Sequence, residues 1–419
     1  MHLLFHLKSY NDVDHLTPVM WKFLENKAKV SIIFLQSKFD YKNDYRIKFL
    51  TQYKNFTNLE EAKGFKKIQI FFLKIRNFIF FNRYERKIRS YSFGKLILDF
   101  IEKKVWFSKW LKNNGITAVI YDWGSPARLN QRDARWSNIP IIILPHGFCV
   151  FNNPKEKFDI SSQSISLRKK GIFTPNFEIR NNFVDKYIVQ QNWMKEYVIY
   201  WKMKPELVAA WGSVRYCSSW YDINYQITGN FVTLKESNSK FKILFLLQDV
   251  SRNVNDDKVH ILLEKLSSLD FIHLVVKGHT RGLDGKNTKI INKIIEHPNV
   301  EFNSQDNTTS IIKWSDLVIN FATSVVIEAM NQGKPIIHAP YLHRNKTVFD
   351  NCNAFHIATN DNQVIRFINK IYNKEINESD SIAKSVFLEK EVYNGKKEYD
   401  VIQFYLDNII KLSNQFTMY

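Results

Sequence analysis

Asp316-Leu-Val-Ile-Asn-Phe-Ala-Thr-Ser-Val-Val-Ile-Glu-Ala-Met-Asn-Gln-Gly-Lys-Pro-Ile-Ile-His338 is the stretch whose pattern decides the fold. Its apolar run at 317–321 reads as a buried strand, and Thr323 and Ser324 interrupt that run with small hydroxyl residues. The segment carrying Glu328 reads as a helix, and Gly333 turns the chain into a second apolar run at 335–338. Strand, helix and strand in so short a span make one unit of a parallel sheet. In an open sheet of this kind the strand-to-helix junction borders the ligand crevice, where backbone N–H groups suit a phosphate.

Outward from this stretch the same alternation recurs. Upstream, 241–247 and 271–277 read as strands with a helix at 257–266 between them. Helices at 290–295 and 308–313 flank a short strand at 300–302, and a helix at 364–372 follows the 335–338 strand. The first half opens with a strand at 2–8, a helix at 18–25 and a strand at 29–36, then continues through charged, aromatic helices to about residue 114. Further strands are expected at 117–121, 140–144, 183–190 and 208–212. The polar segment 233–239 reads as a connection, which divides the chain into domains at 1–232 and 233–390. The charged region 374–391 is expected as a loop or exposed helix, and 391–419 as a closing segment whose helix at 399–412 packs across the domains.

Composition narrows the classes further. Hydrophobic residues make up 45% of the 419 and charged residues 24%, so both domains can build cores. The formal charge is +19, and residues 63–112 supply +11 of it, with 14 Lys or Arg against Glu85, Asp99 and Glu102. Aromatic rings such as Phe71, Phe72, Trp106 and Trp110 are interleaved with those cations. This basic aromatic segment is read either as a surface for an anionic membrane or as helices with one apolar and one solvated face. Nucleic acid is disfavoured, because no recognised fingerprint accompanies the charge. The longest apolar candidate, 68–81, is broken by Lys74, Arg76 and Asn77, short of the roughly 18–20 residues that cross a bilayer. The opening residues read as a strand rather than a secretory signal, and Cys149, Cys217 and Cys352 are too scattered for a disulfide framework. A cytoplasmic location, peripheral on the inner face of a membrane if the basic segment binds there, is the expectation.

Four local groups carry candidate chemistry. Asp122 follows the 117–121 strand and is placed to take a proton from a hydroxyl, or else to cap a helix or hold a loop. His146 ends the 140–144 strand beside Gly147 and reads as a base, a phosphate donor, a positioning group or a buried structural histidine. Lys277, His279 and Arg281 end the 271–277 strand, where they would offset phosphate charge or simply form a basic turn. Thr323 and Ser324 read as phosphate-binding hydroxyls or as a helix cap, and Glu328 as a ribose partner or a packing group. Asp316 is a candidate cap on the approach to its strand. Asp12 and Asp14 resemble paired metal carboxylates, but lie at a helix start and are read as a solvated cap, so no metal site is expected.

Taken in order, Pro145-His-Gly147, Trp211-Gly-Ser-Val-Arg215, Val276-Lys-Gly-His279 and the opening stretch resemble the two-domain GT-B-type transferases of bacterial surface-polymer synthesis. The similarity spans roughly residues 115–350 and lies nearest the CDP-glycerol glycerophosphotransferases and the CMP-Kdo or sialic-acid transferases. It implies two Rossmann-like domains facing a central cleft, an acceptor on the N-terminal side and a nucleotide donor held by the C-terminal domain. His279, Thr323 and Ser324 would contact the donor phosphate, while His146 or Asp122 would serve as base. His279 is followed by Thr280, where many of these enzymes have proline. The implied activity is a metal-independent, inverting transfer of Kdo or another acidic sugar from CMP to a lipid-linked or surface glycan, without a cofactor. A CDP-polyol phosphotransferase, a UDP-sugar glycosyltransferase and a noncatalytic glycan-assembly subunit are the alternatives.

Overall fold

The computed structural model describes residues 1–34, 40–59, 106–123, 137–145, 147–152, 184–200, 202–228, 233–234, 240–248, 253–278, 296–303, 306–376, 380–396 and 400–417. They fall into two compact units, one drawn from 1–147, 175–220 and 396–419, the other from 148–174 and 221–395. The basic aromatic segment, apart from residues 106–112, and the expected helix at 290–295 lie outside the described residues. Among the described residues no helix is long and apolar enough to cross a membrane.

The first unit is built on a parallel sheet of β1 (His2–Leu7), β2 (Lys29–Phe34), β3 (Phe56–Asn58), β4 (Ala118–Asp122), β5 (Ile141–Leu144), β6 (Lys186–Val189) and β7 (Val208–Ala210). Their order is β3-β2-β1-β4-β5-β6-β7. The central strands are continuous apolar runs because both faces are covered: Leu3, Leu4, Phe5, Val119, Ile120, Ile142 and Ile143 are all fully buried. The order reverses between β1 and β4, whose carboxyl ends are in register at His6 and Tyr121.

The helix Tyr10–Glu25 starts well before the expected 18 and runs through Pro18. Its start is set by Asp12, whose carboxylate accepts from the Lys8 amide at 2.6 Å, the Ser9 amide at 3.0 Å and the Ser9 hydroxyl at 3.1 Å. That satisfies donors that the first turn leaves open. The expectation of a solvated cap is corrected here: Asp12 caps but is 1% exposed, and Asp14 is held by two arginines. The C-terminal helix Asp400–Thr417 groups with this first unit. Its Tyr405 hydroxyl donates to the Gly212 carbonyl at 2.8 Å, and Trp211 meets the edges of Phe404 and Tyr405.

The second unit contains β8 (Phe241–Leu246), β9 (Ile272–Lys277), β10 (Val300–Asn303), β11 (Leu317–Asn320), β12 (Ile336–His338) and β13 (His356–Ile357). All pairs are parallel, in the order β10-β9-β8-β11-β12-β13, with the reversal between β8 and β11. This is the doubly wound arrangement in which a crevice opens at the carboxyl ends of the strands flanking the reversal. Asp316 pins that junction from the opposite end, accepting the Lys242 amide on its carboxylate at 2.8 Å while its own amide donates to the Lys242 carbonyl at 2.8 Å. The helix Val326–Asn331 ends at Gly333, whose φ of +69° is the left-handed value that lets the chain fold back into β12. Between Lys374 and Glu391 the chain forms the helix Ser381–Phe387, opened by Asp380, which accepts the Ile382 and Ala383 amides.

Candidate functional site

In the first unit the reversal of strand order is marked by rings and a carboxylate. The His6 and Tyr121 rings stack with centroids 4.3 Å apart and planes at 21°, both fully buried. Asp122 ends β4 beside them, in register with Leu144, and is 1% exposed. Trp123 follows: its indole N–H donates to the Ile188 carbonyl at 2.6 Å, and its ring lies parallel to Tyr187. Asp122 therefore stands at the carboxyl edge of the sheet, where a ligand-facing residue is expected. His146 lies outside the described residues.

In the second unit Lys277 and the Thr323–Ser324 turn stand at the carboxyl ends of β9 and β11, with only β8 between them. Two strand spacings separate those ends by about 10 Å. Lys277 is buried, and its ammonium donates to the Asp306 carbonyl at 2.8 Å. Burial pulls its pKa down to about 8 although the Asp306 charge acts in the opposite sense. Asp306 is itself fastened, accepting from Asn303 Nδ2 at 2.7 Å and from the Thr233 amide at 2.8 Å. His279 and Arg281 lie outside the described residues.

The two hydroxyl residues of the turn divide their work. The Thr323 amide donates to Asn320 Oδ1 at 3.1 Å, and Thr323 Oγ1 accepts the Val325 amide at 3.5 Å. Thr323 is spent on the shape of the turn. Ser324 is half-buried, and among the described residues neither its amide nor its hydroxyl has a hydrogen-bond partner. Ser324 is the residue of the pair whose polar groups the turn leaves uncommitted.

Glu328 faces inward. It is 4% exposed, and its Oε2 accepts the Thr309 hydroxyl at 3.0 Å from the helix Thr308–Trp314. Burial first, and then the Glu328 charge, push the Tyr221 phenol up to about 12.

The partners of this turn were not read from the pattern. Asn320, His338 and Asp350 form its support, and two of them sit inside the stretch quoted first, at the ends of the paired strands β11 and β12. Polar residues ending apolar strands were the available signal. Among the described residues no group of three or more His, Cys, Asp or Glu is gathered as for a metal ion.

No protein-family model matches the chain, and no curated protein matches it in sequence. Solved structures do match in shape. UDP-GlcNAc 2-epimerase from Neisseria meningitidis, bound to UDP-GlcNAc, aligns over 98% of this chain and 100% of its own at 11% identity and a TM-score of 0.57. HepE from Anabaena, in complex with UDP and glucose, aligns over 98% and 100% at 13% identity and a TM-score of 0.56. A glycosyltransferase from Rickettsia africae aligns over 98% of both chains at 14% identity and a TM-score of 0.53. At such identities the likeness is one of fold, and this chain is a two-unit α/β protein of the GT-B type.

Proposed function

We propose that the protein is a nucleotide-sugar enzyme, a glycosyltransferase that moves a sugar from a UDP-linked donor to an acceptor hydroxyl. The observation that carries this reading is the Asn320–Ser324 turn at the point where the second sheet reverses its order, with Ser324 uncommitted and Lys277 two strands away, across β8. The UDP-linked donor is favoured over the CMP-linked acidic sugar implied by the sequence resemblance, because structures of the same fold hold UDP-GlcNAc or UDP with glucose.

In this reading Ser324 donates to the donor phosphate, while Lys277 and Arg281 offset its charge and His279 adds a directional hydrogen bond. The acceptor hydroxyl loses its proton to Asp122 or His146 as its oxygen attacks the anomeric carbon. The carbon–oxygen bond to the nucleotide breaks with inversion, and UDP leaves with the bonding pair. Glu328, buried and with its Oε2 accepting from Thr309, is the candidate partner for a ribose hydroxyl. The step needs no metal in this proposal. The acceptor is a lipid-linked or surface glycan, brought to the enzyme by the basic segment at an anionic membrane.

Epimerisation is the second reading, favoured by the full-length overlay with UDP-GlcNAc 2-epimerases. Incubating the purified protein with UDP-GlcNAc, UDP-glucose, a CMP-linked acidic sugar and CDP-glycerol separates the possibilities by nucleotide chromatography and mass spectrometry. UDP release is the expected result. A UDP-sugar isomer of unchanged mass would instead establish epimerisation, and CMP release would restore the CMP-linked donors. Absence of both binding and turnover with every donor would sink the enzymatic reading and leave the noncatalytic subunit.

A further inference from the structure

A hydrogen-bond chain with a buried middle runs from Asp350 to the Thr323 amide. Asp350 Oδ1 lies 3.0 Å from His338 Nε2, His338 Nδ1 lies 3.3 Å from Asn320 Nδ2, and Asn320 Oδ1 accepts the Thr323 amide at 3.1 Å. His338 and Asn320 are fully buried and directly opposite each other across β11 and β12. The Phe349 and Phe355 rings flank the imidazole.

Both ends of the chain force the same proton placement. A backbone N–H can only donate, so Asn320 must turn its oxygen to Thr323 and its NH2 to His338, which makes Nδ1 an acceptor. At the other end Asp350 accepts from the Thr347 amide and hydroxyl; burial opposes ionisation, but the bond to His338 first, and then the two Thr347 bonds, hold its carboxyl below the ordinary range and therefore ionised. An ionised carboxylate only accepts, so His338 must carry its proton on Nε2.

We propose that His338 is a positioning residue for the donor-phosphate turn: held by Asp350 as the Nε2–H tautomer, it orients Asn320 so that Thr323 is tied inward and Ser324 faces the ligand. Moving the proton to Nδ1 would set one donor against another. Rotating the Asn320 amide to relieve that would place its NH2 against the Thr323 N–H and release the turn. The role of the turn toward a nucleotide rests on the reading in the preceding subsection; the hydrogen-bond chain does not.

The test uses full-length protein with 15N-labelled histidine, the His338 signals being identified by their loss in His338→Phe. Wild type is expected to show a protonated Nε2 and an unprotonated Nδ1; the opposite tautomer would overturn the proposal. Asp350→Asn is nearly isosteric, and the Thr347 amide forces the new carboxamide to present its oxygen to Thr347 and its NH2 to His338. The His338 proton should therefore move to Nδ1, and the Thr323 amide should exchange with solvent at least about ten-fold faster, with the amides of Val318 and Ile319 unchanged. UDP should bind this variant about ten-fold more weakly, as one lost hydrogen bond predicts. Unchanged tautomer and exchange in Asp350→Asn would also overturn the proposal. Failure of wild type to bind UDP would sink the donor reading instead, while the tautomer and exchange results still decide the role of His338.

Discussion

Lys277 ends β9 with its ammonium nitrogen 2.8 Å from the main-chain oxygen of Asp306. One hydrogen bond to a carbonyl does not replace the water that a buried ammonium loses, and the pKa falls from 10.5 to about 8. Below pH 8 the group is charged in both folded and unfolded chains, and the burial cost acts in full. As pH rises from about 8 towards 10.5 the folded protein sheds the proton that the unfolded chain keeps, so this group's destabilisation fades. The unfolding free energy of wild type from urea titrations should therefore rise between pH 7.5 and 9.5 relative to Lys277→Met, by an amount on the order of 2 kcal/mol. Parallel pH profiles for the two proteins would contradict this.

Asp14 is clamped between Arg46 and Arg215, with Arg46 Nη1 at 2.6 Å and Arg215 Nε in direct contact. Burial alone would raise its pKa, but Arg215 and then Arg46 outweigh that and hold the carboxyl well below the usual range. Its stabilisation is complete above the unfolded carboxyl pKa of about 3.9 and disappears as pH falls through the lower folded value. Asp14→Asn leaves two largely buried guanidinium groups short of a counter-charge, and should cost about 3 kcal/mol at pH 7 in chemical denaturation. At pH 3 the gap between variant and wild type should begin to narrow.

Gly278 follows Lys277 at the carboxyl end of the sheet, under the Phe302 ring. A Cβ there would stand 2.7 Å from Phe302 Cζ and 2.9 Å from Cε2, closer than such atoms approach. Gly278→Ala should lower stability by about 1–2 kcal/mol. Phe302→Leu removes the obstacle, so the double variant should recover much of that cost. Additive losses in a thermal-melt cycle would show that the ring is not the cause.

Ser324 and Thr323 should separate under mutation. Ser324→Ala is expected to weaken UDP binding about ten-fold in calorimetry while leaving the melting temperature within a degree or so. Thr323→Ala removes the acceptor for the Val325 amide, and should lower both affinity and local protection of that amide from exchange. Equal effects of the two changes on binding and exchange would remove the distinction.

Much of the architecture was legible in local pattern. Apolar runs such as Ile141–Leu144 and Leu317–Asn320 announce strands buried on both faces, and their alternation with helices announces parallel sheets. Two strands left no such trace, because Phe56–Asn58 and His356–Ile357 are three and two residues long and show no period. The helix Tyr10–Glu25 was read short because Pro18 suggests a beginning, whereas the capping carboxylate of Asp12 starts it earlier.

What the sequence alone determined is the run of elements and the carboxyl-end junctions where Asp122, Lys277, Thr323 and Ser324 stand, since period and punctuation are properties of neighbours along the chain. Tertiary structure alone decided that Asn320 meets His338, that His338 meets Asp350, and that Asp14 meets arginines 32 and 201 residues away. Those pairings depend on strand register and on how helices pack, and the order of residues within any one element does not carry that information.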